Sequence, residues 1–499
     1  MYHNIVNIKL FLFLILTLPI IHCSSDLTVD ANNEFDKNFD TDDLAVNLEG
    51  DLQISDFVWK GLNEFYYWQD QVSELSDEKL IDEKEYADYI KNNSNPNLFF
   101  ESLKHSDDRF SWIQDNYVEL ENNLQGVFAT NGVEFGLLYA CENCNEVLGF
   151  VKYIYKGSNA DGKNINRGDF FNGVNGTILN DSNYIPLLFG ENLNYTLNMA
   201  TIENGKVIPN GVNVELTKEE NFETNPIQIN KTFDIQNGDQ VGYLMYNQFV
   251  ANKSVNLNDV FAEFKNKNID NLIVDLRYNG GGSVKNCVEL ASMITGQFES
   301  GVFAQEQWNS KLISYLEKRF GSESLINRFV DTLSNGSIIN SLKLDRVYVI
   351  TSSESASASE LLINGLSSYI EVIQIGERTV GKNVGSITVY DYIDNEKTKN
   401  PDHNYAMQPI VLKMANSDGY ADYTEGLQPD RFIEEDITNL GELGNVGEPL
   451  LKSTLNLISG TKKVISTKPK LNKEFLIIDP LMLERQKMII EKNINYLIR

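Results

Sequence analysis

The segment NLIVDLRYNGGGS, at residues 271–283, decides the fold. Its apolar, strand-forming residues end in a polar turn and three glycines, which is typical of a buried strand that opens into a tight loop. Strand-like runs recur at 241–250, 346–353 and 370–377, with helical patterns between them. Strands that alternate with helices predict an α/β core with a mainly parallel sheet covered on both faces.

Two further segments, SESASASE at 353–360 and GERTVGK at 376–382, carry candidate catalytic groups. Ser357 lies between Ala356 and Ala358 at the predicted N-terminus of a helix that follows an apolar strand. This is the arrangement of a nucleophile elbow, in which a hydroxyl lies beside backbone N–H groups that face developing negative charge. Small neighbours let a substrate backbone come close.

A serine hydroxyl needs a base, and histidine is the usual one. The chain has four histidines, and none of them lies in these segments: they are His3, His22, His105 and His403. A lysine serves where burial disfavours its ammonium form, and Ser-Lys pairs are a known variant of the triad. Lys382 is therefore the candidate base.

Together the three segments resemble the C-terminal processing (tail-specific) serine peptidases of family S41. That family has an Asp-x-Arg-x-Asn-x-Gly-Gly strand end, a Ser-Ala-Ser-Ala-Ser-Glu helix start and a Thr-x-Gly-Lys turn, which residues 275–282, 355–360 and 379–382 match. The resemblance implies a ClpP/crotonase-like α/β core over residues 232–460. An N-terminal helical domain and a PDZ-like β-rich domain would precede this core.

The resemblance also implies the roles of single residues. Ser357 would attack a peptide bond and form an acyl-enzyme, and Lys382 would take and return the proton. The backbone N–H groups of Gly281 and Ala358 would bind the oxyanion. Ser386 stands where some family members have a glutamine that orients the lysine, and a hydroxyl can also hydrogen-bond an amine. No metal or organic cofactor is required.

The N-terminal half divides into two parts by its sequence pattern. Residues 52–125 are predicted to be helical, beginning with the amphipathic stretch DFVWKGLNEFYYWQDQV. Short strand-like runs and turns fill 128–222, where the segment 157–179 resembles a PDZ domain. In that family the loop formed here by Phe135, Gly136, Leu137 and Leu138 would receive a peptide carboxylate. The alternative is an unrelated small β domain.

The first residues predict export. Lys9 followed by the apolar run 10–21 is typical of a signal peptide, here residues 1–22. The apolar run is too short to span a membrane. Cys23 follows as in a bacterial lipoprotein, although His22 stands where a small residue is expected, so simple secretion remains open. Residues 23–51 are predicted to form an acidic flexible tether. We therefore expect a lipid-anchored protein of the cell envelope (periplasm or outer membrane).

Charge and cysteine content narrow the possible partners. The formal net charge of −29 disfavours binding to nucleic acid phosphates. Cys141 and Cys144 lack the second ligand pair of a structural zinc site, which leaves a local disulfide or two free thiols. The expected partners are protein or peptide substrates and, through the lipid anchor, a membrane.

The sequence is compatible with two other functions. The first is a catalytically silent peptide-binding protein on the same scaffold, and the second is a hydrolase that acts on esters. Residues 461–499 are predicted only as a C-terminal extension.

Overall fold

The computed structural model describes residues 48–461 and 486–492. The expected signal peptide, Cys23 and the tether up to residue 47 lie outside the described residues, as do 462–485 and 493–499 of the C-terminal extension. The predictions made for those segments therefore stay predictions.

The N-terminal region is helical. Its elements are α1 (Asp51–Phe65), α2 (Glu83–Asn92), α3 (Pro96–Ser102), β1 (Trp112–Gln114) and α4 (Tyr117–Leu124). The first helix ends at Phe65, before the end of the predicted amphipathic stretch at Val72. The reason is tertiary, since the next residues turn into the core, where Tyr66 is fully buried and the Tyr67 N–H donates to the carbonyl of Ile410 at 2.8 Å.

Residues 127–223 form a β-rich region. Its strands are β2 (Val127–Thr130), β3 (Val133–Tyr139), β4 (Val147–Ile154), β5 (Phe170–Val174), β6 (Thr177–Ile178), β7 (Asn194–Glu203), β8 (Lys206–Thr217) and β9 (Glu219–Glu223). Strands β3, β4, β5, β7 and β8 make one sheet in that order, and a single π-helical turn lies at Ile185–Phe189. Strands β2 and β9 pair antiparallel and carry the chain into and out of the region.

The core begins with β10 and contains the expected parallel sheet. Its elements up to residue 308 are β10 (Ile227–Asp234), β11 (Gln240–Tyr246), α5 (Ser254–Asn266), β12 (Asn271–Asp275), β13 (Gly281–Ser283), α6 (Val284–Thr295) and β14 (Val302–Trp308). The next are α7 (Ser310–Phe320), β15 (Ile326–Arg328), β16 (Arg346–Thr351), α8 (Ala358–Ser367), β17 (Glu371–Gly376) and β18 (Val384–Ser386). The last are β19 (Val389–Tyr390), β20 (Ala406–Gln408), β21 (Ile410–Asn416), β22 (Arg431–Phe432), α9 (Pro449–Ile458) and β23 (Lys487–Ile489).

Two six-stranded sheets organise the core. The first has the order β10-β11-β12-β16-β17-β22, and every pair after β10-β11 is parallel. Strand β12 is central in this sheet, which explains why its sequence is apolar on both faces. The second has the order β13-β23-β18-β21-β14-β15 and contains the glycine segment.

One large hydrophobic cluster joins the N-terminal helices to the core. Trp59 of α1 is fully buried in this cluster together with Phe261 of α5 and Leu361 of α8. The Trp59 indole N–H is satisfied by the carbonyl of Glu74 at 2.8 Å. The helical region therefore shares its core with the sheet that carries the candidate catalytic residues.

Cys141 and Cys144 are joined in a disulfide, which resolves the alternatives left by the sequence. None of the helices in residues 48–461 and 486–492 has the length and hydrophobicity that a membrane span requires. Within the same residues, no group of three or more His, Cys, Asp or Glu side chains is arranged to hold a metal ion.

Candidate active site

Asn279 fastens the turn after β12 to the serine-rich turn before α8. Its side chain is fully buried, donates to the carbonyl of Tyr246 at 2.8 Å and accepts the Gly281 N–H at 2.8 Å. Its backbone carbonyl accepts the Ser359 hydroxyl at 2.9 Å and the Ala356 N–H at 3.2 Å. One residue thus fixes the glycine loop against the turn that contains Ser357.

Ser357 differs from the other serines of its turn. Ser355 donates its hydroxyl to the carbonyl of Leu276 at 2.8 Å, and Ser359 donates to Asn279. The buried Ser357 Oγ has no hydrogen-bond partner within the described residues. Its backbone has φ 62° and ψ −112°, a conformation that residues other than glycine adopt rarely and at a cost in free energy. Backbone strain and an unpaired buried hydroxyl are both features that occur preferentially at functional sites.

Glu360 holds the serine turn and the lysine turn together. Its Oε2 accepts the backbone N–H of Ser357 at 2.7 Å and that of Lys382 at 2.8 Å. Its Oε1 accepts the Gly381 N–H at 2.7 Å and the Thr379 hydroxyl at 2.5 Å. Burial raises the pKa of this carboxyl, and the four hydrogen bonds oppose the rise. The motif residues from two distant segments therefore meet on one carboxylate.

Lys382 is buried, and its surroundings disfavour the charged form of its side chain. Burial, reinforced by the positive charge of Lys487 and opposed by Asp108, lowers the pKa of its ammonium group to about 7. The Nζ atom donates to the backbone carbonyl of Gln486 and lies 4.9 Å from the centre of the Phe110 ring. Near neutral pH, a large share of the population therefore carries a neutral amine at this position.

The side chains of Ser357 and Lys382 are not hydrogen-bonded to each other in this structure, since the Ser357 Oγ has no partner among the described residues. Their backbone N–H groups nevertheless share the same oxygen of Glu360. The arrangement brings the two residues together through their backbones, while the amine is held by a carbonyl of the C-terminal strand.

The glycine loop lies against Ser357. A Cβ atom on Gly281 would be 2.7 Å from the Ser357 Cβ and 2.2 Å from the Lys487 carbonyl oxygen, and φ is 109°, so glycine is required. The Gly281 N–H, predicted as an oxyanion donor, is instead bonded to Asn279. In the parallel register of β13 with β23, the Gly282 N–H faces the Lys487 carbonyl.

Ala358 begins α8 directly after Ser357 and is fully buried. The first N–H groups of a helix have no intrahelical partner and lie at the positive end of its dipole. The Ala358 N–H is therefore suited to bind negative charge. Its carbonyl accepts the Cys287 thiol at 3.3 Å, which identifies Cys287 as a packing group between α6 and α8.

Two family models match this chain. The model described as "Peptidase family S41" matches residues 240–430, which include the glycine loop, Ser357 and Lys382. The model described as "Peptidase S41 N-terminal domain" matches residues 53–112. The chain belongs to peptidase family S41. The family prediction made from the three sequence motifs is thereby confirmed.

Curated relatives resemble part of this S41 chain. A "Probable CtpA-like serine protease" of Staphylococcus aureus is 24% identical over 204 residues, which are 41% of this chain and 35% of the relative. A "Carboxyl-terminal-processing protease" of Picosynechococcus is 26% identical over 149 residues, 30% of this chain and 31% of the relative. The chain thus spans about a third of the length of these relatives.

A solved structure has the same fold. The crystal structure of a protein from Bacteroides fragilis described as an S41 protease gives a TM-score of 0.63 at 21% identity. The match covers 82% of this chain and 98% of the solved chain. The predicted S41 fold class, an α/β core preceded by a helical region and a β-rich region, is confirmed.

Ser386 has another partner than the one predicted from the S41 pattern. It lies in β18, and its hydroxyl donates to the carbonyl of Met488 at 3.4 Å. The amine of Lys382 donates to the carbonyl of Gln486. The two side chains thus hydrogen-bond neighbouring backbone carbonyls of residues 486–488, and no hydrogen bond joins them to each other.

Residues Phe135 to Leu138 form part of strand β3 and not a loop. Their backbone pairs with β4 on one side, and β3 is the terminal strand of its sheet among the described residues. The Phe135 ring packs against Phe171 and Phe189, with centroids 5.4 and 5.8 Å apart. The predicted loop is wrong because this apolar segment is a strand with buried side chains: Leu137 packs inside the β-rich region, and Leu138 joins a cluster with Ile437 and Leu440 of the core. Its outer edge is the edge of a sheet.

Arg277 lies at the centre of a buried cluster of charged side chains. The sequence motif includes this arginine, but its partners could not be predicted from the sequence. Its guanidinium bonds Asp275 and Glu448, and it meets Glu435 at 2.8 Å. Arg167 of the β-rich region reaches the same Glu435 at 2.6 Å. An arginine inside an otherwise apolar strand end signals a buried ion cluster, because such a charge is costly unless paired.

Proposed function

We propose that this chain is a serine endopeptidase that hydrolyses peptide bonds through an acyl-enzyme, with Ser357 as the nucleophile and Lys382 as the general base. One observation carries the proposal. A strained serine with an unpaired buried hydroxyl and a lysine with a lowered pKa are held on the same oxygen of Glu360. Family membership and this pair of groups support the same reaction.

The reaction begins when neutral Lys382 turns from the Gln486 carbonyl to the Ser357 hydroxyl. As the amine takes the hydroxyl proton, Oγ bonds to the substrate carbonyl carbon, and the carbonyl oxygen becomes an oxyanion. Lys382 then gives the proton to the departing amine as the C–N bond breaks. Water, deprotonated by Lys382, releases the acyl group and restores the hydroxyl.

Two backbone donors are proposed for the oxyanion. Ala358 supplies one N–H from the helix N-terminus. The sequence motif assigns the other to Gly281, but that N–H is bonded to Asn279. We assign the second donor to Gly282, because its N–H faces the carbonyl of Lys487, whose oxygen lies next to Ser357.

The β-rich region is proposed to recruit the C-terminal ends of protein substrates. Its strand β3 is terminal in its sheet among the described residues, and peptides bind PDZ domains by adding a strand to the edge of a sheet. The π-helical turn at Ile185–Phe189 lies next to this edge through the contact between Phe135 and Phe189. These features support a PDZ-like groove formed by Phe135–Leu138.

Export and a lipid anchor on Cys23 are proposed from the sequence of residues 1–23. The substrates would then be proteins of the cell envelope. The test is metabolic labelling with a fatty acid analogue, with Cys23→Ser as the control; label that persists in the variant contradicts the anchor.

The test of the peptidase is Ser357→Ala against an unstructured protein such as casein. We expect cleavage by the wild type and none by the variant, while the variant retains the wild-type melting temperature. The matched control is Ser353→Ala, an exposed serine of the same turn, which should cleave normally. Equal cleavage by wild type and Ser357→Ala would remove the proposal.

Two rivals remain testable. A silent peptide-binding protein would bind unstructured protein and cleave none, and a fluorophosphonate would leave Ser357 unlabelled. An esterase would turn over activated esters while leaving casein intact. The β-rich region with its strand edge favours a peptide substrate over a simple ester.

A further inference from the structure

A segment of the chain's own C-terminus, Gln486–Lys492, lies in the proposed catalytic cleft. Its strand β23 runs between β13 of the glycine loop and β18 after Lys382, parallel to both. We call this stretch the tail segment, and we call the space between β13 and β18 the cleft. A peptide in this position lies next to both proposed catalytic residues.

Backbone groups of the cleft hold the backbone of the tail segment. The Lys487 N–H donates to the Gly280 carbonyl at 3.0 Å, and the Ile490 N–H donates to the Ser386 carbonyl at 3.1 Å. The Lys487 carbonyl faces Gly282 in the ladder. Recognition of this kind depends little on side chains, and it is how proteins bind an extended peptide as an added strand.

Side chains fix the position of the tail segment. Met488 is fully buried and Ile490 nearly so, and both join the main hydrophobic cluster. Glu491 accepts the Ser283 hydroxyl and the Lys285 N–H at the start of α6, where a helix favours negative charge. Lys492 binds Glu306.

The tail segment occupies the position that a substrate needs. The Lys487 carbonyl oxygen and the Ser357 Cβ both lie within 2.7 Å of the point where a Gly281 Cβ would stand, so that carbonyl adjoins the nucleophile. The Lys382 amine is bonded to Gln486 and not to the Ser357 hydroxyl. The tail segment therefore fills the cleft and also holds the Lys382 amine in a hydrogen bond that keeps it from the Ser357 hydroxyl.

We propose that the tail segment is a tethered competitive inhibitor of the peptidase. It binds the cleft as an extended peptide, with apolar residues at the positions of Met488 and Ile490, and it must leave before a protein substrate enters. This inference rests on the proposed function. It also identifies the ligand of the cleft as an extended peptide that runs parallel to β13.

The main experiment uses Met488→Asp in the full chain. A buried carboxylate is costly, so the strand should leave the cleft. The apparent affinity of a site scales with the fraction of molecules in which it is open, so kcat/KM on casein and the rate of fluorophosphonate labelling should rise by about tenfold or more. The matched control, Ile338→Asp, changes a side chain that is 77% exposed and should leave both rates unchanged.

A second variant covers the case in which Met488→Asp fails to fold. Lys492→Glu places a like charge against Glu306 at the partly exposed end of the tail segment, outside the hydrophobic cluster. We expect a several-fold rise in both rates. The control Lys60→Glu reverses a comparable ion pair with Asp56 in α1 and should not raise them.

The outcomes separate the two proposals. Folded Met488→Asp without a gain in rate, or Lys492→Glu with an unchanged or lower rate, overturns the inhibitor. Adding Ser357→Ala to Met488→Asp should abolish the gained cleavage. A gain that survives Ser357→Ala contradicts the proposed peptidase instead.

Discussion

At the scale of single residues, Lys382 predicts how activity depends on pH. Its ammonium group has a pKa lowered to about 7, chiefly by burial, and only the neutral amine can take the Ser357 proton. We expect kcat/KM to rise about tenfold per pH unit below pH 7 and to level off above it. The measurement is casein cleavage between pH 5.5 and 9.

The control for this profile is Lys382→Arg. A guanidinium stays charged at every pH in that range, so this variant should be inactive throughout. A wild-type rate that still rises about tenfold per pH unit up to pH 9 would contradict a buried, deprotonated base.

A side chain at Gly281 is expected to impair catalysis. Gly281→Ala would force a Cβ to within 2.7 Å of the Ser357 Cβ at φ 109°, so the nucleophile must shift. We expect at least about a 100-fold loss in kcat/KM, because a misplaced reacting group loses much of its rate. Gly336→Ala is the matched control, since it has φ 82° but open space around the added Cβ, and it should keep its activity.

The motifs allowed Ser357, Lys382 and Ala358 to be selected from the sequence, because their chemistry depends on residue type and local turn. The partner of the Gly281 N–H could not be predicted in the same way. It depends on how Asn279 folds back within one loop, a detail of hydrogen-bond geometry that no spacing encodes.

At the scale of elements, Glu360 connects the N-terminus of α8 to the lysine turn, and a substitution at Glu360 tests this connection. The Glu360 carboxylate accepts four hydrogen bonds. Glu360→Gln replaces it with an amide, which has one acceptor oxygen and an NH₂ group that would point at N–H donors. We expect a loss of stability of about 2 kcal/mol and a fall in kcat with little change in KM. Glu119→Gln, in the exposed first turn of α4, is the control and should change neither quantity.

A pH readout distinguishes this positioning role from a purely structural one. The negative charge of Glu360 raises the pKa of Lys382, so the neutral glutamine should move the inflection of the pH profile to lower pH. An inflection that stays in place would show that Glu360 does not act on Lys382.

Elements with strong local patterns were predictable and others were not. Strand β12 could be assigned because a short apolar run that ends in a polar turn and three glycines is typical of a buried strand. Strand β23 could not, because its three residues lie far along the chain from both neighbours and pair with them only through tertiary packing. Short strands with distant partners carry little local signal.

At the scale of the whole molecule, the buried cluster around Arg277 predicts stability in acid. Burial alone would raise the pKa of Glu435, but Arg167, Arg277 and Tyr278 lower it to about 2. A carboxyl with a lowered folded pKa stabilises the protein above its unfolded value of 4.5 and loses this effect as pH falls toward 2. Glu435→Gln should therefore cost roughly 3 kcal/mol at pH 7 and nothing near pH 2.

Chemical unfolding of the wild type and Glu435→Gln between pH 2 and 7 measures this difference. The exposed Glu396→Gln should follow the wild type across the range. A constant gap between wild type and Glu435→Gln at all pH values would show that the cluster acts through packing and not through charge.

The antiparallel pair of β2 and β9 determines where the β-rich region could be exchanged for another domain. The chain enters the β-rich region after Gly126 and leaves it before Thr224, and these two residues are joined by a hydrogen bond of 2.9 Å between the Thr224 N–H and the Gly126 carbonyl. Because entry and exit lie side by side, replacing this region by another domain with adjacent ends would leave the path of the core chain unchanged. A replacement domain would lose the ion pairs Arg167–Glu435 and Lys152–Glu354 unless it reproduced them. It would also lose the hydrophobic cluster that joins Leu138 and Phe150 to Ile437 and Leu440.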